Sequence, residues 1–268
     1  MKFTLFLILS LLLSSCSTTH KFPQKNVCFL LFNLKTQKFE EIINHHHCDE
    51  RLPAVSTFKV PLAVMAIQSH LIENEHSVQT WDGNRRVIES WNKDHTAKTW
   101  MKDSVIWYSQ KLTERLGKIK TEFYLKRFEF GNADMSGGID SAWLTSAFFF
   151  SGPVKNTLKI NGYEQVRFLQ KLWDEKLPTS SQSQQITKNL LVNEISSTHI
   201  LSGKTGTGFV GKNDEIRLGW YVGYLKTKKN NYVVVINFTD TEKLAAKGFA
   251  GSDAREMAKK ILKEKKLW

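Results

Sequence analysis

The chain has 268 residues, 41% of them hydrophobic and 24% charged, enough apolar material for one large core or two small ones and unlike a disordered or fibrous composition. The formal net charge is +12, but the lysines are scattered, with the densest cluster in the last few residues. No zinc-finger spacing, RNP-like motif or arginine-rich tract accompanies them, so the charge does not point to nucleic acid; an anionic surface or an anionic substrate accounts for it as well.

Met1-Lys2 is a minimal basic start, and residues 3–13 form an apolar run too short to span a bilayer, so 1–15 read as an export signal. Leu13-Ser14-Ser15-Cys16 has the form of a lipobox, in which Cys16 becomes the lipidated new N-terminus; ordinary cleavage nearby, without lipid, is the alternative. Either way the expected location is the periplasm, with membrane attachment through Cys16 if that cysteine carries lipid. Residues 16–26 are a polar tether, and 27–268 read as a single domain. Setting Cys16 aside leaves Cys28 and Cys48, either a disulfide or two separate buried thiols.

Residues 27–33 and 38–43 are β-prone runs around Leu34-Lys35-Thr36-Gln37, the pattern of a hairpin. His45-His46-His47 invites a metal, yet adjacent residues cannot all face one ion; an exposed loop without metal is the expectation. Next comes Ser56-Thr57-Phe58-Lys59, followed by an apolar run over 60–67 with Pro61 suited to a first helical turn. That run is apolar all round, which marks a buried helix. Ser56 sits where the helix begins, at the positive end of its dipole, and Lys59 lies one turn on along the same face. Between Val55, Phe58 and Val60 the lysine is pushed toward its neutral form, which puts a base beside a serine nucleophile. Taken alone, the spacing is also that of a helix cap and a solvated lysine, since S-x-x-K is common by chance.

From 58 to about 195 the pattern is mostly helical. Helices are predicted over 106–116, stopping at Gly117, over 122–128, stopping before Gly131, and over 162–172; 141–150 is an aromatic-rich core segment. Residues 180–185 are polar and too short for a domain linker. The period then changes, and 199–209, 216–225 and 231–238 read as three strands. Ser252-Asp253 caps a last amphipathic helix. Strands at both ends and helices between them predict an α+β fold whose termini meet in one antiparallel sheet, flanked by helices, with a largely helical middle region.

Gly206-x-Gly208-x-x-Gly211 matches the dinucleotide fingerprint, but a charged turn and a strand follow it where a helix must open. With Lys212 the same glycines approach a phosphate-binding loop, but Asn213 stands where Ser or Thr must ligate magnesium. What survives is Lys204-Thr205-Gly206 downstream of Ser56-Thr57-Phe58-Lys59, the paired signature of penicillin-binding proteins and serine β-lactamases. Between them lie Ser104-Val105-Ile106 and Phe130-Gly131-Asn132, and on these motifs the chain resembles the class D β-lactamases, or oxacillinases. Cys28-Phe29-Leu30-Leu31-Phe32, Gly137-Gly138-Ile139-Asp140 with Trp143-Leu144, and Gly219-Trp220-Tyr221-Val222-Gly223 extend the resemblance from 27 into the last helix. Ile106 replaces a usual Val, Trp107 stands where many relatives have Pro, and Thr207 where many have Trp. For the family's late arginine, which receives the substrate carboxylate, this chain offers Lys247 or Arg255.

The resemblance implies a β-lactamase/penicillin-binding-protein-like fold and hydrolysis of the β-lactam ring of penicillin-type antibiotics through an acyl-enzyme on Ser56. It implies that Lys59 is carboxylated by carbon dioxide, with no other cofactor, and serves as general base in acylation and deacylation. Trp143 would stabilise that carbamate, the N–H groups of Ser56 and Thr207 would receive the oxyanion, and Ser104 would pass a proton to the leaving nitrogen. Lys204 would hold Ser104 and the substrate anion, with Ile106, Thr205, Gly206, Thr207 and Lys247 lining the substrate. Phe130 and Asn132 either shape the neighbouring turn or take part directly. Two rivals share the motifs: a penicillin-binding transpeptidase or carboxypeptidase, and a β-lactam sensor acylated without turnover.

Overall fold

Strand-forming runs from the two ends of the chain pair with each other, and this pairing fixes everything between them. The computed structural model describes residues 22, 24–145, 154–212, 214–243 and 248–268. The first half runs β1 (Lys25–Asn33), β2 (Lys38–Ile43), α1 (His45–Asp49), β3 (Leu52–Pro53), a 3-10 turn (Val55–Phe58), α2 (Lys59–Gln68), β4 (Val78–Gln79), a second 3-10 turn (Glu89–Trp91), β5 (His95–Thr96), α3 (Ala97–Asp103), α4 (Ile106–Leu116) and α5 (Lys118–Phe128). Then follow β6 (Lys159–Ile160), α6 (Gly162–Trp173), α7 (Ser181–Leu190), β7 (Val192–Ile195), β8 (His199–Val210), β9 (Ile216–Thr227), β10 (Asn231–Asp240) and α8 (Ala250–Glu264).

The main sheet has the order β2-β1-β10-β9-β8-β7 and is antiparallel throughout. Its central strand β10 is buried on both sides, so side-chain alternation feeds two cores. Val233 and Val235 join the larger one, with α2, while Val234, Ile236 and Phe238 meet Ala254, Ala258 and Ile261 of α8 in the smaller. From Lys59 to Ile67 every residue of α2 is buried, as a helix apolar all round requires. This is the α+β arrangement expected from the sequence, with strands from both ends of the chain meeting in one antiparallel sheet.

The predicted strands and the 106–116 and 162–172 helices agree with the structure to within two residues. Several expectations are corrected. The middle is less helical than predicted, since 69–95 holds only short turns and two-residue strands. The three histidines form a short helix capped by Asn44; His47 is buried, with Nδ1 3.0 Å from Glu50 Oε2. Four further residues, from Lys118, belong to α5, and α8 begins at Ala250, before the predicted Ser252-Asp253 cap. Ser180 caps α7, a helix the polar sequence did not announce. Cys28 and Cys48 are joined by a disulfide that ties β1 to α1. Cys16, residues 146–150 of the aromatic run, and Lys247 lie outside the described residues. Among the described residues no helix is long and apolar enough to cross a membrane, and no His/Cys/Asp/Glu group is arranged for a metal.

Candidate active site

Ser56 lies in the 3-10 turn that leads into α2, and four contacts fix that turn. Leu52 pairs with Ile160, Ala54 N–H donates to Leu158 O at 3.1 Å, and Trp220 Nε1 donates to Pro53 O at 3.2 Å. The buried Gln165 of α6 donates through Nε2 to Thr57 Oγ1 at 2.9 Å, and that hydroxyl donates in turn to Ala54 O. They hold Val55 at φ +42°, a left-handed conformation that costs a β-branched residue about 1–3 kcal/mol. Phe130-Gly131-Asn132 acts one layer further out. Asn132 Nδ2 donates to Thr157 O at 2.7 Å and Asn132 Oδ1 accepts from Lys159 N–H at 2.9 Å, which fixes β6 and, through it, the serine turn. Phe130 is buried edge-on against Phe168, so of its two expected roles the turn-shaping one is what the geometry displays.

Lys59 is completely buried, and its Nζ donates to Ser56 Oγ at 3.2 Å. Desolvation, and secondarily the charge of Lys204, hold this amine well below the usual lysine pKa. Its Nζ lies 4.7 Å from the ring centroid of Trp143, which packs on Phe58. The indole Nε1 of Trp143 is buried and has no hydrogen-bond partner among the described residues, a costly state for a donor of about 1–3 kcal/mol.

The third wall is β8. Gly206 lets the strand approach the serine turn, because a Cβ there would stand 2.6 Å from Val55 Cγ2. Thr207 Oγ1 accepts from Gly251 N–H at 2.9 Å, which pins the strand to the start of α8. Lys204 is buried and donates to Thr205 O at 2.8 Å and to Thr205 Oγ1 at 3.4 Å. Burial, then the charge of Arg255, lower its pKa to about 7.

Ser104 caps α3 in a left-handed conformation (φ 58°, ψ 35°) that turns the chain back toward the serine. Two tryptophans brace it: Trp91 Nε1 donates to Asp103 O at 2.9 Å, and Trp107 Nε1 to Trp91 O at 2.8 Å. Trp107, a departure from the family pattern, is thus a buried strut.

Ser56, Ser104, Ile106, Thr205 and Thr207 line one cleft of about 260 Å³. Lys59, Trp143, Lys204 and Gly206 stand behind its walls. The cleft also takes in Thr145, Phe249 and Lys102, which sequence reasoning missed. Thr145 follows Trp143-Leu144 directly and accepts from Phe209 N–H at 2.9 Å, so the motif's edge was the available signal. Phe249 and Lys102 carried none.

The penicillin binding protein transpeptidase domain family matches residues 27–263. The probable beta-lactamase YbxI of Bacillus subtilis (strain 168) is 34% identical over 252 residues, covering 94% of this chain and 85% of that protein. The solved structure of a class D beta-lactamase from Bacillus subtilis, also 34% identical, superposes with a TM-score of 0.79 over 92% of this chain and 94% of its own. The C-terminal domain of the Bacillus licheniformis BlaR penicillin-receptor is 31% identical, with a TM-score of 0.80 over 91% and 92% of the two chains. With its serine turn, buried lysine and lysine-threonine-glycine strand drawn around one cleft, the chain belongs to the class D serine β-lactamase family.

Proposed function

We propose that this enzyme opens the β-lactam ring of penicillin-type antibiotics through an acyl-enzyme on Ser56, with carboxylated Lys59 as the general base of both half-reactions. The observation that carries the reading is the pairing of Lys59 with Trp143. A fully buried amine, pushed toward neutrality, stands 3.2 Å from Ser56 Oγ, beside a buried indole N–H that lacks a partner. Carbon dioxide adds to a neutral amine, and the carbamate so formed is an anion able to accept that N–H and take a proton from a hydroxyl or a water. The fit supports carboxylation; a plain amine base would leave the indole donor unexplained.

Ser56 attacks the lactam carbonyl, and its own N–H and that of Thr207 receive the oxyanion, at roughly 3–4 kcal/mol per donor in comparable sites. Ser104 returns the proton to the leaving nitrogen. Lys204 orients Thr205 and, while charged, attracts the substrate carboxylate; Thr205 Oγ1 binds that carboxylate. Ile106 and Phe249 supply apolar cleft wall for the acyl side chain. Lys247 remains the proposed late cation of the family. Export by residues 1–15, a tether over 16–26, lipid on Cys16 and a periplasmic location belong to the same reading.

Likeness to the BlaR domain favours one second reading, a β-lactam receptor acylated without turnover. Hydrolysis of a chromogenic β-lactam separates the two. Sustained turnover, raised by bicarbonate at acid pH, together with a carbamate signal from ¹³C-bicarbonate, is expected. A single stoichiometric burst would establish the receptor instead.

A further inference from the structure

A second cleft, of about 180 Å³, adjoins the first across Thr205 and Lys102, which line both. Its walls come from α3, the end of α7, β7, β8 and α8, and they bring Lys98, Lys102, Lys204 and Arg255 together with no carboxylate among the lining residues. Four cations around one partly desolvated space repel one another unless an anion joins them. The two less exposed amines rest on backbone carbonyls: Lys204 on Thr205 O, and Lys98 on Asn189 O at 2.7 Å. Burial holds both below the usual lysine pKa, helped at Lys204 by Arg255 and opposed at Lys98 by Glu75. Of the neighbouring acids, Glu194 is engaged outside the cleft, and Glu256 is shared between Arg255 and Lys259. Glu194 takes Lys259 at 2.7 Å, and Glu256 lies 3.4 Å from Arg255 Nε and 3.8 Å from Lys259 Nζ. Asn193, whose Oδ1 accepts from Tyr221 OH, adds an amide to the lining.

We propose that this cleft binds a small tetrahedral dianion of the phosphate or sulfate class, and that its occupancy acts on turnover through Lys204. Cations reach the space from three separate elements, which suits oxygens pointing in several directions better than a planar carboxylate does. A guanidinium fork matches two such oxygens at once, and the ammonium groups neutralise the rest. The coupling to turnover rests on the role proposed above for Lys204; the binding does not. The groups facing Lys204 are the cations Lys98 and Lys102 from α3 and Arg255 from α8, and Lys59 from α2, neutral-leaning as an amine and anionic once carboxylated. An anion among them favours the charged form of Lys204 and moves its loss of charge to higher pH. With a pKa of about 7 beside the Lys59 amine, Lys204 is charged in about a tenth of molecules at pH 8. A carbamate on Lys59 raises that fraction, so an occupied cleft raises kcat/KM at that pH by less than about tenfold.

The test compares purified enzyme in potassium phosphate, potassium sulfate and potassium chloride at matched ionic strength. Phosphate and sulfate are expected to raise Tm above its value in chloride by more in wild type than in Lys98→Gln, and to move the alkaline limb of kcat/KM on a chromogenic β-lactam upward by up to about one pH unit. Lys98→Gln, outside the acylation cleft, is expected to lose both effects while still turning over substrate in chloride. Equal Tm in all three salts overturns the site, and an effect that survives Lys98→Gln places the anion elsewhere. A rise in KM without movement of the limb overturns the coupling and puts phosphate in the place of the substrate carboxylate. Should the enzyme turn over no β-lactam, the proposed function fails while the Tm comparison still decides the cleft.

Discussion

Trp143→Phe isolates one hydrogen-bond donor. Phenylalanine keeps a ring against Phe58 and close to Lys59, but removes the buried Nε1 that has no partner among the described residues. If that N–H serves the Lys59 carbamate, its loss deletes a hydrogen bond to a charged group, about 1.5–3 kcal/mol. At about 1.4 kcal/mol per tenfold, the bicarbonate needed for half-maximal activity rises roughly ten- to a hundredfold. Initial rates on a chromogenic β-lactam, measured against bicarbonate at pH 6 and pH 7.5, read this directly. The effect is larger at pH 6, because a carbamate is lost on protonation and must be rebuilt from the neutral amine. Saturating bicarbonate restores most of the turnover, since Ser56 and the oxyanion donors are untouched. A packing role alone gives another pattern: removing an unsatisfied donor offsets part of the lost ring volume, Tm moves, and the bicarbonate curve stays where it was. An unchanged half-saturation in Trp143→Phe would refute the carbamate assignment and return Lys59 to the role of a plain amine.

Ser56→Ala is expected to abolish covalent labelling by penicillin, whereas Ser104→Ala only slows it; gel mobility of a fluorescent penicillin adduct checks both. Lys59→Met should lose turnover yet unfold at higher urea in bicarbonate-free buffer. The buried amine has a lowered pKa, so the folded state carries a penalty that is complete below the folded value and vanishes as pH rises to the ordinary lysine value. The stability gap between Lys59→Met and wild type should accordingly close toward pH ~10. Reducing Cys28–Cys48, which closes a loop with a sequence separation of 20, should cost about 3 kcal/mol in urea unfolding; an unchanged midpoint would refute that contribution.

What could be read from sequence was what local pattern encodes. Tyr232-Val233-Val234-Val235-Ile236 has no other good use than a strand, and the run from Val60 to Ile67 is too uniformly apolar to lie on a surface. Helix α7 escaped because Ser183, Gln184 and Thr187 are buried there by hydrogen bonding instead of apolar patterning: Gln184 alone bonds the backbone of Leu177 and Thr179. His47 escaped because Asn26, one of its neighbours, comes from β1. In the cleft, Ser56 and Lys59 announce themselves by spacing, while their supports do not. Gln165 lies 108 positions from Thr57 and Trp220 lies 167 from Pro53, and neither distance leaves a mark in the residues between. Lys204 named itself through its motif, but its resting partner, the carbonyl of Thr205, is a matter of three-dimensional reach.

The pairing of β1 with β10 has a consequence for synthesis. Lys25 meets Asp240, so the middle of the sheet joins nearly the first described residue to one of the last strands. A chain emerging N-terminus first therefore holds its opening hairpin without its next strand until β10 arrives, and contacts so distant in sequence form slowly. Trp220 and Gly206, which seat the serine turn, also arrive late. A stop codon anywhere before residue 231 thus removes the keystone of the sheet, never merely its rim, and leaves no shortened enzyme behind.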